Sequence, residues 1–188
     1  MQSSDALYLF NEGRNYQAYR LLGAHPGEAG AVFRVWAPNA GQVSVVGDFN
    51  GWQGGVDTMQ PLGASGVWEA TVASAKPGSL YRFEIVNRHS GDTLVKSDPY
   101  GRGFELRPGS AAYVVAPAAH RWNDGDWLAR RAGWDWQRAP VNIYEVHAGS
   151  WMRHPDGKPY LWHELGERLI PYAVAQGYTH LELLPITE

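Results

Sequence analysis

Val32-Phe-Arg-Val-Trp-Ala-Pro-Asn-Ala-Gly-Gln-Val-Ser-Val-Val-Gly-Asp-Phe-Asn-Gly-Trp52 decides the fold. Phe33 and Val35 alternate with Arg34 and Trp36, and Val43 and Val45 with Ser44 and Val46, the period of two of a pleated, half-buried strand. Pro38, Asn39 and Gly41 interrupt the pattern, so the stretch predicts two strands joined by a turn, a hairpin. Asn50-Gly51 is a turn dipeptide in which both residues tolerate positive φ, and it carries Trp52 on a tight loop at a strand end. A ring held there is either a platform for a ligand or a residue tucked beneath its own turn.

The same alternation recurs downstream. Trp68, Ala70 and Val72 share a face, and Tyr81, Phe83 and Ile85 point one way while Arg82 and Glu84 point the other. Ala112 to Val115 completes the sheet. Gly54-Gly55, Pro61-Leu62-Gly63, Lys76-Pro77-Gly78 and Asp98-Pro99-Tyr100-Gly101 supply turns between these runs. Short alternating strands punctuated this way predict a mainly β fold, an immunoglobulin-like antiparallel β-sandwich. Upstream, Ser4-Asp5 opens a short helix that stops at Gly13, Tyr16 to Leu22 is a second apolar patch, and Trp36 and Trp68 read as packing residues. His25-Pro26-Gly27 ends any helical character.

Past Ala116 the alternation disappears. Pro117 and Pro140 bracket a polar stretch carrying Trp122, Trp127, Trp134 and Trp136, which reads as an ordered linker because a flexible one would be Gly/Ser-rich and poor in aromatics. Asp126 to Arg131 predicts a single helical turn. From Val141 to His147 a strand returns, Trp162 to Gln176 is an amphipathic helix kinked at Pro171 and closed by Gly177, and His180 to Pro185 is a second strand. Strand, helix, strand at this spacing is a βαβ unit. A full (β/α)8 barrel takes about 250 residues, so the chain is expected to hold only the beginning of a second, incomplete barrel. The expected organisation is an N-terminal segment 1–30, a β-sandwich module 31–116, a Trp-rich ordered linker 117–140 and the start of a barrel 141–188.

Composition narrows the function. The 188 residues are 44% hydrophobic with a net charge of -3, and the Lys and Arg are scattered. No basic patch offers the counterion release that drives nucleic-acid binding. There is no cysteine, which excludes disulfides, thiolate metal sites and thiol nucleophiles and suits a reducing, cytoplasmic setting. No basic leader or bilayer-length apolar run is present, so no membrane partner is expected. The 9 Trp and 10 Tyr suit stacking on sugar rings as well as ordinary packing.

Glycosidic chemistry needs two carboxylates about 5 to 5.5 Å apart for retention. Glu145 and Glu182 are of the right type but lie mid-strand, whereas barrel enzymes place their chemistry at strand C-termini. Glu188 is better placed yet lacks a visible partner, and His147, at a strand end, reads as a hydrogen-bonded structural histidine or a substrate contact. His147, His154 and His163 show no metal-ligand spacing. No catalytic residue, metal ligand or cofactor is therefore assigned. The binding candidates are Trp52 and Arg82, the latter facing away from the core as a donor to sugar hydroxyls or as a solvated charge.

These stretches also carry a resemblance. Phe33 to Ala40, Val43 to Trp52, Lys96-Ser97-Asp98-Pro99-Tyr100, Ile143 to Trp151 and Gly177 to Ile186, with Tyr19 to His25, closely resemble the bacterial glycogen (1,4-α-glucan) branching enzymes. The resemblance implies a carbohydrate-binding β-sandwich followed by an α-amylase-like barrel that transfers α-1,4 glucan chains to 6-hydroxyls by double displacement. It further implies a cytoplasmic monomer acting on α-glucan, glycogen or maltooligosaccharides, without a cofactor. The family's nucleophilic Asp and acid/base Glu lie on the fourth and fifth barrel strands, beyond Glu188, so this chain alone is expected to be inactive. Debranching and trehalose-releasing hydrolases, or a stand-alone glycogen-targeting module, are the competing readings. The module is also similar to the glycogen-binding domain of the AMP-activated protein kinase β subunit. There Trp52 matches one of two stacking tryptophans and Arg82 stands at a lysine, while no tryptophan between Val86 and Tyr113 supplies the second platform. Losing one stacking surface costs about 1 kcal/mol.

Overall fold

The computed structural model describes residues 3–116 and 121–186. The chain divides into two compact units, residues 1–120 and 121–188. Pro117, the expected start of the linker, and Glu188 lie outside the described residues.

The first unit opens with α1 (Ser3–Asn11) and continues through β1 (Gly23–Gly27), β2 (Gly30–Trp36), β3 (Ala40–Gly47), β4 (Asp57–Thr58), β5 (Gln60–Pro61), β6 (Val67–Val72), β7 (Leu80–Asn87), β8 (Thr93–Lys96) and β9 (Ala112–Tyr113). One sheet has the order β1-β2-β6-β5; the other has β4-β3-β7-β8, with β9 also pairing β7. All of these pairings are antiparallel. The alternating residues of both sheets meet in one core, where Phe33, Val43, Val45, Tyr81 and Phe83 are at most 1% exposed. Phe33 meets Tyr81 edge-on at 4.8 Å, and Tyr81 meets Phe83 at 5.7 Å, geometries that aromatic quadrupoles favour. On the outer face of the first sheet, α1 places Ala6 with Leu21 and Leu22 over Val67.

The sandwich is as expected, but its central pair is not a hairpin. β2 pairs with β1 and β6, and β3 with β4 and β7, so the two strands of the opening stretch lie in different sheets. Ala37 to Asn39 form an arch between them, fixed where the Ala37 N–H donates to the Gly66 carbonyl at 2.8 Å. Both strands bury their alternate residues, and an arch turns those two faces toward each other, which a hairpin within one sheet cannot do. His25-Pro26-Gly27, expected to end helical character, lies in β1. As an edge strand β1 tolerates a proline that lacks a ladder donor. The edge strand β8, all of whose residues are exposed, lacks the alternation that would have marked it. Trp68 is buried as expected, whereas Trp36 is 53% exposed and meets Phe10 edge-on.

The second unit comprises α2 (Gly125–Ala132), β10 (Ile143–Val146), α3 (Ala148–Trp151), α4 (Trp162–Ala175) and β11 (His180–Leu183). β10 and β11 pair in parallel with Ile143 opposite His180, and α4 connects them. The Asp126 turn is a full helix of eight residues. Leu165 and Leu169 of α4 pack on Val146. The helix runs through Pro171 without ending. It closes where the Gly177 N–H donates to the Val174 carbonyl and the Tyr178 N–H to the Ala173 carbonyl, with Gly177 at φ +77°. That pair of bonds is the Schellman stop that glycine permits. Trp134 stacks on His180 at 5.5 Å and Arg131 lies over Trp127.

Candidate functional site

The turn after β3 is built around Asn50. Its Oδ1 accepts the Gly47 N–H at 2.9 Å, and its Nδ2 donates to the Val45 carbonyl at 2.9 Å and to Asp57 Oδ2 at 2.7 Å. Asp48 Oδ2 accepts the Leu80 N–H at 3.1 Å, tying the turn to β7. A Cβ at Gly47 would collide with the Leu80 carbonyl and the Phe49 ring, so only glycine lets the strand bend there. The positive φ values fall on Gly51 at +63° and Trp52 at +62°, not on Asn50 and Gly51. The Trp52 N–H donates back to the Gly47 carbonyl at 2.8 Å and holds that conformation. A bulky residue at positive φ is an outlier, and such strain persists only where the surroundings over-determine it.

The Trp52 side chain is 43% exposed. The Arg82 guanidinium lies 5.8 Å from the centre of its ring, within cation–π range. Arg82 stands on β7 opposite Val46 of β3, on the face turned away from the core. Its Nη2 is 4.0 Å from Glu105 Oε2, and that carboxylate also accepts the Ala111 N–H at 2.9 Å. Arg82 Nε is closed off from solvent and has no hydrogen-bond partner among the described residues. An orphaned buried donor is rare enough to call for a role. Glu84, the next residue on this face, lies against Gly54, where a Cβ would strike its carboxyl group. Beneath them Ser44 is 1% exposed and its Oγ accepts the Gly55 N–H at 3.1 Å. The result is a shallow face with an aromatic ring, a fixed cation and two carboxylates. A flat apolar ring with donors and acceptors at its edge is the chemistry that recognises a sugar's hydroxyl rim and its C–H face.

The structure brings Trp52 and Arg82 together. Glu105 escaped the sequence reading because it lies 23 positions beyond Arg82, in a loop without any local signal, and only sheet pairing returns it to β7. Behind this face, the Tyr81 hydroxyl donates to Asp98 Oδ2 at 2.6 Å, and Asp98 Oδ1 accepts the Tyr100 N–H at 2.8 Å. Burial pushes the Asp98 carboxyl and the Tyr81 phenol up, and lowers His25. This group pins the turn after β8 under the sheet.

The other candidates stay apart from that face. Glu145 and Glu182 stand opposite one another in the parallel pair, both exposed and mid-strand. His147 Nδ1 lies 2.8 Å from Ser150 Oγ, and His154 Nε2 lies 3.1 Å from Glu164 Oε2. Among the described residues no group of three His, Cys, Asp or Glu is placed to hold a metal ion. The first unit has a further open cleft of about 490 Å³ beside Trp36, Pro38, Pro61 and Arg88. The second has one of about 990 Å³ lined by Trp127, Arg131, Trp134, Trp136 and His180.

Residues 21–101 match carbohydrate-binding module 48 (isoamylase N-terminal domain). Over its whole length the chain is 78% identical to the 1,4-alpha-glucan branching enzyme GlgB of Dechloromonas aromatica (strain RCB), covering 30% of that protein. It is 55% identical to the enzyme of the same name from Nitrosomonas europaea, over 99% of this chain and 26% of that one. The chain thus spans less than a third of the length of these curated relatives. Among solved structures it is similar to PulA from Klebsiella oxytoca, with 26% identity and a TM-score of 0.62 over 89% of this chain and 18% of that one. It is also similar in fold to pullulanase type I from Bacillus subtilis str. 168 complexed with maltose, with 24% identity and a TM-score of 0.65 over 89% of this chain and 24% of that one.

Proposed function

We propose, from the premise that residues 21–101 are a carbohydrate-binding module 48 domain and that the whole chain is homologous to the N-terminal region of 1,4-alpha-glucan branching enzymes, that this chain binds and positions α-glucan for such an enzyme. The whole enzyme would transfer α-1,4 glucan segments to 6-hydroxyls in glycogen biosynthesis. This part of it holds the polymer and does no bond chemistry alone. The sandwich at residues 31–116 is the binding module, the Trp-rich stretch 117–140 the ordered linker, and residues 141–188 the start of the catalytic barrel. Cytoplasmic, monomeric action on glycogen or maltooligosaccharides belongs to the same reading.

The observation that carries it is the Trp52–Arg82 pair. An indole is held half-exposed in a strained backbone conformation, beside a cation whose Nε no described protein group satisfies. That is the arrangement of a ring kept ready for a ligand. A debranching hydrolase is the alternative with support, since the similar solved structures include pullulanases. The far higher identity to the branching enzymes favours the first reading. Isothermal titration of maltoheptaose into the wild type and Trp52→Ala tests the site, with about fivefold or greater weakening expected. Equal affinities would overturn the reading of this face as the glucan site.

A further inference from the structure

We infer that Tyr113 is the second aromatic platform of this face, so that the site grips a run of glucosyl units between two rings rather than one unit on Trp52. The inference rests on the reading of Trp52 and Arg82 as a glucan site.

The strand register places the residue. Tyr113 stands opposite Leu80, and Ala112 opposite Tyr81. Tyr81 and Ala112 are buried in the core, so alternation turns Leu80 and Tyr113 to the other face, the one that carries Arg82. β7 is bordered by β3 along one edge, and by β8 and then β9 along the other. Trp52 rises from the end of β3, and its N–H is bonded to Gly47, the partner of Tyr81. The two aromatic residues therefore flank β7 from opposite sides, at levels one residue apart, with Arg82 between. Two strand spacings separate their strands by roughly 10 Å. That distance asks for a ligand longer than one sugar ring.

The Tyr113 ring is positioned rather than loose. It is 38% exposed, and a Cβ at Gly103 would run into its hydroxyl edge. The Tyr113 N–H donates to the Gly103 carbonyl at 2.9 Å. Two residues on from Gly103, Glu105 reaches Arg82. The 103–105 stretch thus fixes both the second ring and the cation with one short piece of chain. The Tyr113 hydroxyl has no hydrogen-bond partner among the described residues, unlike that of Tyr81, which is spent on Asp98. It is left to serve a ligand hydroxyl. A tyrosine arriving from β9 thereby supplies the stacking surface that no tryptophan between Val86 and Tyr113 provides.

The test titrates maltose and maltoheptaose against the wild type, Trp52→Ala, Tyr113→Ala and Tyr113→Phe, with far-UV circular dichroism to show that each is folded. Maltoheptaose affinity should fall about fivefold or more in Tyr113→Ala and stay within about twofold in Tyr113→Phe, which keeps the ring. Maltose, reaching one ring at a time, should respond less to Tyr113→Ala than maltoheptaose does. Unchanged maltoheptaose affinity in Tyr113→Ala, with Trp52→Ala weakened, overturns the role of Tyr113 and leaves the site standing. Unchanged affinity in Trp52→Ala overturns the glucan reading itself. If Tyr113→Ala does not fold, Tyr113→Leu replaces it, and equal binding by the Leu and Phe variants overturns the platform.

Discussion

Trp52 is where backbone conformation and the proposed binding role oppose each other. A left-handed backbone costs a non-glycine residue about 1 kcal/mol or more, and at φ +62° Trp52 bears that cost with a large side chain. Trp52→Ala keeps the backbone strain and removes the ring, whereas Trp52→Gly removes both. We expect Trp52→Gly to be more stable than Trp52→Ala by about 1 kcal/mol, with both deficient in glucan binding. Urea unfolding of the two variants checks this, and equal stabilities would mean that the turn relaxes in the mutants. Trp52 and Arg82 could be named as candidates from the sequence because turn chemistry and strand alternation are local. Glu105 and Tyr113 could not be named as candidates, because nothing near them in the chain says which strand they will meet.

At the scale of elements, β7 joins the site to the core, with Arg82 on one face and Tyr81 on the other. Tyr81 anchors the turn after β8 through Asp98, which is 1% exposed. Burial raises the Asp98 pKa, so the folded state holds a proton that the unfolded chain has already lost. Stability from this group therefore rises as pH falls through its raised pKa toward the ordinary aspartate value of about 3.9. His25 acts in the opposite sense. Burial lowers its pKa, and stability is lost as pH falls below about 6.5 and the unfolded histidine takes its proton first. Arg34 and Arg102 face His25, and Arg102 also acts on Tyr81. Asp98→Asn retains an acceptor for the Tyr100 N–H and deletes the aspartate contribution. The stability of the wild type relative to Asp98→Asn should thus improve as pH falls from 7 toward 4, measured by urea midpoints. A constant difference would show that Asp98 is not the titrating group.

For the whole molecule, the two units differ in how much of their own structure they cover. The sandwich buries both inner faces in a continuous core. The β10–β11 pair keeps Ile143 51%, Leu181 38% and Leu183 40% exposed, and its core cluster rests on Val146, Leu165 and Leu169. Local stability follows buried apolar contact. Hydrogen exchange should therefore reach the amides of β10 and β11 well before those of β3 and β7. Equal protection would show that the second unit is stabilised by contacts beyond its own small core.

The sequence by itself determined the alternating strands β2, β3, β6 and β7, the helix α4 and the apolar faces of their core, because those properties follow from backbone preferences and side-chain alternation within a few residues. Tertiary structure decided which strands pair. It alone split the opening stretch between two sheets, placed His25-Pro26-Gly27 in an edge strand, brought Glu105 to Arg82 and paired the strand of Tyr113 with β7. Pairing is a contest among all strands for the same edges, settled by the burial of a whole core, and no single stretch records its outcome.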